Sequence, residues 1–101
     1  MIANFETDAK HYERIAEILR ALRHPVRLVI VRELIARGPF RVSELCWSLG
    51  MSQSTVSQHL SKLKVTKVVS YERKGTAVYY KVEDEKFIKL IEILGLTHTA
   101  C

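Results

Sequence analysis

The sequence predicts a mainly helical α+β domain with one β-hairpin, in the order α1-α2-α3-α4-β1-β2-α5. Three observations predict it. Apolar residues recur at helical spacing in segments bordered by capping residues and glycines. One Val- and Tyr-rich stretch breaks that period around Lys74-Gly75-Thr76. Ahead of it, a short helix, a glycine-containing turn and a second helix follow one another, the spacing of a helix-turn-helix.

In the first helix, from about Asp8 to His24, Tyr12, Ile15, Ile18, Leu19 and Leu22 recur at three and four. Pro25 ends that helix and suits the first position of the next. The second helix runs to Arg37, where Gly38 and Pro39 stop it. Its β-branched VRLVIV core resembles a strand, but the continuation ELIAR and the boundary residues favour a helix buried on most of its circumference. Ser43 is an N-cap candidate for a third helix over Glu44–Leu49, closed by Gly50. Ser52 caps a fourth helix that ends near Val65 and has Val56, Leu60 and Leu63 as its buried stripe. The hairpin spans about Val68–Arg73 and Ala77–Val82. A last helix starts at Asp84, carries Phe87, Ile88, Leu90, Ile91, Ile93 and Leu94, and stops at Gly95.

At 101 residues with 48% apolar content, the chain is expected to form one domain over 1–101 with one modest core. The longest central aliphatic run, Leu28-Val29-Ile30-Val31, is far too short to cross a membrane and is flanked by Arg27 and Arg32. The acidic N-terminal stretch has no apolar core of a secretion signal, and two cysteines cannot build a disulfide scaffold. A cytoplasmic location is therefore expected.

The charge is unevenly placed. Between Ser52 and Val82 stand Lys62, Lys64, Lys67, Arg73, Lys74 and Lys81 against Glu72 alone. The rest of the chain is balanced, so the whole net charge of +5 lies in this segment. The fourth helix also presents Gln53, Ser54, Ser57, Gln58 and Ser61 away from its apolar stripe. Gln pairs bidentately with adenine, Ser reaches base edges or phosphates, and Lys or Arg neutralises phosphate. Lys62, Lys64 and Lys67 stand where such a helix leaves a groove, and Arg73 and Lys74 stand at the hairpin tip. A Ser/Gln/Lys helix face is by itself usually only a solvated surface. Its position between a capped helix pair and a basic hairpin favours duplex DNA as the partner.

Four segments resemble the ArsR/SmtB family of bacterial winged-helix repressors: ALRHPVRL at 21–28, SEL at 43–45, LGMSQSTVSQHL at 49–60 and RKGTAVYY at 73–80. The resemblance implies a winged helix-turn-helix, with the helix-turn-helix at about 43–65 and the wing at about 67–82. It implies a homodimer through the helices at about 8–24 and 84–95, which carry more apolar surface than so small a core can cover. It also implies a repressor docked on a roughly palindromic operator, with Gln53, Ser54, Thr55, Ser57 and Gln58 as base and phosphate readers. His59 is then expected to serve structurally at the junction of helix and wing. Lys67 departs from the family, which usually has Gly there, so positive φ on a lysine is expected.

Many relatives sense metals, but this chain departs from both ligand sets the resemblance implies. Of the first set only Cys46 remains, with Arg41 and Ser43 in place of thiols. For the second, Glu85, His98 and Cys101 have suitable spacing, but Phe87 replaces a His and Gly95 precedes His98. No metal or other cofactor is expected. Cys46 and Cys101 stay open as candidate redox residues, although Cys46 also suits a small core position. Trp47, opposite Leu45 and Leu49, is expected to be exposed, against a loop, a partner or DNA backbone. No phosphate loop or nucleophile arrangement indicates an enzyme. The leading expectation is a dimeric repressor without an intact family metal site, responding to a thiol oxidant, a small ligand or nothing beyond its own concentration. The alternatives are a metal- or thiol-responsive repressor and a winged-helix protein-interaction module.

Overall fold

The computed structural model describes residues 5–96, with side chains from Asp8 onward. The elements are α1 (Phe5–Leu22), α2 (Pro25–Arg37), α3 (Val42–Leu49), α4 (Gln53–Val65), β1 (Ser70–Lys74), β2 (Ala77–Lys81) and α5 (Glu85–Ile93), in the predicted order. No helix among the described residues is long and apolar enough to cross a membrane.

Local chemistry sets most boundaries. His24 caps α2: its Nδ1 accepts from the Val26 N–H at 3.1 Å, and Pro25 fills the first helical position. The cap of α3 lies two residues before the predicted Ser43. Glu44 reaches back to accept from the Arg41 N–H at 2.9 Å, so the acid three residues on fixes the start and Ser43 falls inside the helix. On α4 the Ser52 Oγ accepts from the Thr55 N–H and donates to the Thr55 Oγ1 at 2.9 Å, while Asp84 caps α5 through the Lys86 N–H.

Helix ends share one device. After α5, Gly95 has φ +75°, and the Gly95 and Leu96 N–H groups return to the Glu92 and Ile91 carbonyls. After α4, Lys67 takes that place at φ +63°, with Lys67 N–H to Lys64 O and Val68 N–H to Leu63 O, both at 3.0 Å. This is a Schellman ending closed by an apolar Val68–Leu63 pair, with lysine where glycine is the usual residue. The expected positive φ at Lys67 is present.

The core gathers Ile30, Val31 and Leu34 of α2, Leu45 of α3, Val56, Leu60 and Leu63 of α4, and Phe87 and Ile91 of α5. From α1 it takes Ile18, Ala21 and Leu22. Val68 and Val69, read as strand, instead plug the core before β1 begins at Ser70. The turn is also shorter than predicted. Lys74 pairs with Ala77, which leaves the two residues Gly75-Thr76, with positive φ on the glycine alone. Phe40 pairs with Tyr80 through two backbone hydrogen bonds of 2.9 and 2.7 Å, and so ties the wing to the loop between α2 and α3.

Two further findings differ from expectation. α2 is less enclosed than its sequence implies: Val29 is half exposed, and the buried face includes Glu33. That carboxylate accepts from the Ser48 Oγ at 3.1 Å and lies 3.6 Å from the Arg37 guanidinium, linking α2 to α3. On α5, Ile91 belongs to the chain's own core, so the exposed apolar surface narrows to Ile93 and Leu94. On α1, Tyr12 and Leu19 are exposed.

Candidate nucleic-acid interface

α4 has one sharply defined buried stripe, Val56, Leu60 and Leu63, and that stripe fixes which side chains face outward. Gln53, Ser54, Gln58 and Ser61 are exposed, while Thr55 and Ser57 are half-buried at the edges. Ser54, Gln58 and Ser61 share the outermost face at spacings of four and three. Thr55 is partly committed. Its Oγ1 accepts from Ser52 and its N–H is capped, so only its own hydroxyl hydrogen is left to donate.

The wing is oriented by its pleat. Tyr71 and Arg73 lie on one sheet face with their partners Tyr80 and Val78; Glu72 and Lys74 lie on the other. The Lys64 Nζ stands 5.1 Å from the centre of the Tyr71 ring, so the Tyr71 face is the one turned to α4. Arg73 shares that face. Lys74 turns away, 3.9 Å from Glu72 and over the Tyr79 ring.

The six basic residues of the segment are not equivalent. The Lys81 Nζ lies 3.3 Å from both Glu72 and Glu83, and hydrogen bonds to these two carboxylates raise its pKa. Its charge is already answered within the wing. Lys62, Lys64, Lys67 and Arg73 make no ion pair with an acid among the described residues, so their charge faces solvent unneutralised. The sequence reading counts Lys81 in the basic cluster without a contact role, and its pairing with Glu72 across the hairpin sets it apart from the others.

His59 does not sit at the helix–wing junction. Its ring lies against that of His24, centroids 4.6 Å apart, at the start of α2. Burial, then His24, then Arg27 lower its pKa, so its neutral form is favoured. His59 lies on the flank with Thr55 and Lys62, opposite the flank that meets the wing, so the start of α2 rather than the hairpin is its neighbour.

Cys46 is half-buried and packs on the core. Trp47 is 89% exposed, as expected, and borders a groove of about 340 Å³ with Arg37, Phe40 and Ser43. Among the described residues no three His, Cys, Asp or Glu side chains gather as a metal cage. His98 and Cys101 lie outside the described residues.

This geometry has known counterparts. Residues 24–71 match the family model described as bacterial regulatory protein, arsR family. The transcriptional repressor PagR of Bacillus anthracis is 39% identical over 80 residues, 79% of this chain and 80% of that protein. The crystal structure of NolR from Sinorhizobium fredii superposes with a TM-score of 0.80 at 31% identity and covers all of both chains. The homodimeric winged helix-turn-helix DNA-binding domain Mb0332 of Mycobacterium bovis superposes with a TM-score of 0.81 at 26% identity, over 100% of this chain and 99% of that one. Sequence motifs, element order and these likenesses agree: the chain belongs to the arsR family of bacterial regulatory proteins.

Proposed function

We propose that this protein is a homodimeric, sequence-specific DNA-binding transcriptional repressor acting in the cytoplasm on a roughly palindromic operator. The observation that carries the reading is the joining of an uncharged hydrogen-bonding face, Ser54, Gln58 and Ser61, to unneutralised cations at one end and beside it, Lys62, Lys64 and Arg73. A face of this kind reads base edges in the major groove while the cations hold phosphates. Gln58 is assigned to a base, Gln53, Ser54, Thr55, Ser57 and Ser61 to base edges or the nearest phosphates, and Lys62, Lys64, Arg73 and Lys74 to the backbone. Tyr12, Leu19, Ile93 and Leu94 supply the dimer surface, which sets two recognition helices about one helical turn apart. The residues present do not complete either family metal site, so release from DNA is assigned to a signal other than a metal held at these positions.

The test is a selection of genomic fragments from the source organism on the purified protein, repeated with divalent metals or a thiol oxidant. Enrichment of one inverted-repeat sequence, unchanged by metal, is the expected result. Recovery of fragments without a shared sequence removes the assignment.

A further inference from the structure

The polar face of α4 is flanked on both sides. On the wing side stand Lys64 and Arg73. On the opposite side, Thr55, His59 and Lys62 share the helix flank that meets the start of α2, as the contact between His59 and His24 shows. A cleft of about 280 Å³ opens there, lined by Arg23, His24, Pro25 and Arg27. Neither arginine makes an ion pair with an acid among the described residues. Arg23 is exposed; Arg27 is half-buried, and its buried Nε has no hydrogen-bond partner. His24 spends Nδ1 as an acceptor, which places the hydrogen of its neutral ring on Nε2 as a donor. The cluster is therefore rich in donors and contains no acidic side chain.

The major groove is bordered by phosphates of both strands, so a helix seated in it has a backbone on each side. We infer that Arg23 and Arg27 form a second phosphate clamp, which grips with Lys62 the DNA strand on the side of α4 away from the wing. Guanidinium suits this task because its forked donors match phosphate oxygens and its charge does not titrate away. The inference rests on the DNA-binding reading above and deepens it, extending the footprint beyond the helix-turn-helix and wing.

The experiment measures affinity for a fluorescent mixed-sequence duplex of roughly 30 base pairs, long enough for both recognition helices. Titrations run between about 50 and 200 mM salt, where the slope of log affinity against log salt counts phosphate contacts at about 0.9 each. Arg23→Gln is expected to weaken binding and to reduce the slope by about 0.9 per protomer. Arg23→Gln/Arg27→Gln is expected to reduce it further. Lys89→Gln, an equal charge loss on α5, is expected to leave the slope unchanged. An unchanged slope in Arg23→Gln, or an equal reduction in Lys89→Gln, overturns the clamp. Absence of duplex binding by the wild-type protein overturns the DNA-binding reading itself. Circular dichroism of each variant checks folding, and Arg23→Gln, at an exposed position, carries the test alone if the double variant does not fold.

Discussion

The imidazoles of His24 and His59 pack against each other, 4.6 Å between centroids and tilted by 52°, and so join the cap of α2 to the flank of α4. Burial first, then the neighbouring His24 and Arg27, make this a site that resists a proton on His59. A folded-state pKa below the ordinary 6.5 means the unfolded chain takes up the proton more readily. Stability from this site is therefore complete above pH 6.5 and is lost as the pH falls through the lowered value. Melting temperature followed by circular dichroism is expected to fall across this window, and His59→Gln to flatten the fall. Superimposable profiles for the two proteins would remove His59 from the account.

Gln58 stands at the centre of the exposed face of α4, between Ser54 and Ser61. If its amide pairs with a base, Gln58→Ala costs about 1–3 kcal/mol on the selected operator and much less on mixed-sequence DNA. Affinities on both duplexes at one salt concentration make the comparison. Equal losses on the two would reassign Gln58 to the backbone.

The two basic residues at the wing tip are predicted to behave differently. Arg73 lies on the sheet face turned toward α4, whereas Lys74 lies on the other face near Glu72. Arg73→Ala is expected to lower affinity for all duplexes and to flatten the salt slope by about 0.9 per protomer. Lys74→Ala is expected to do less. The reverse order would show that the wing approaches DNA by its outer face.

What the sequence made legible was the local part. Ser52 as a cap, Asp84 as a helix start, Gly50 and Gly95 as stops, and the Val56/Leu60/Leu63 stripe each depend on groups within a turn or two of one another. The positive φ of Lys67 was legible only through the family resemblance, which puts glycine at that position. What escaped was set by residues distant in sequence. Glu33 is buried because Ser48 and Arg37 meet it; Phe40 bonds Tyr80 across the chain; Lys81 is neutralised from both sides of the hairpin. His59 was assigned to the wrong neighbour for the same reason. Its helix face was readable, but what packs on that face was not.

Dimerisation gives a prediction free of DNA. Ile93 is 80% exposed at the end of α5, beside Leu94, an unfavourable place for a large aliphatic side chain in an isolated protomer. Ile93→Glu adds a charge to the proposed interface without touching the core residue Ile91. Sedimentation is expected to show a dimer for the wild type and a monomer for the variant. Operator affinity is expected to fall by on the order of 100-fold, because the second half-site loses its tether. A variant that stays dimeric would move the interface elsewhere.

Lys67 offers a gain rather than a loss. Its φ of +63° closes α4 in a Schellman ending, a conformation that costs an L side chain about 1–2 kcal/mol and glycine almost nothing. Glycine also widens the unfolded ensemble, which offsets part of the benefit by roughly 0.4–1 kcal/mol. Lys67→Gly is therefore expected to stabilise the fold by up to about 1 kcal/mol in urea unfolding, with an unchanged m-value. The same variant removes one unneutralised cation just beyond α4. If Lys67 meets phosphate, the more stable protein binds DNA more weakly, and its salt slope drops by about 0.9 per protomer. A stability gain with an unchanged slope would assign the lysine to neither partner and leave the strain at this turn without a binding role.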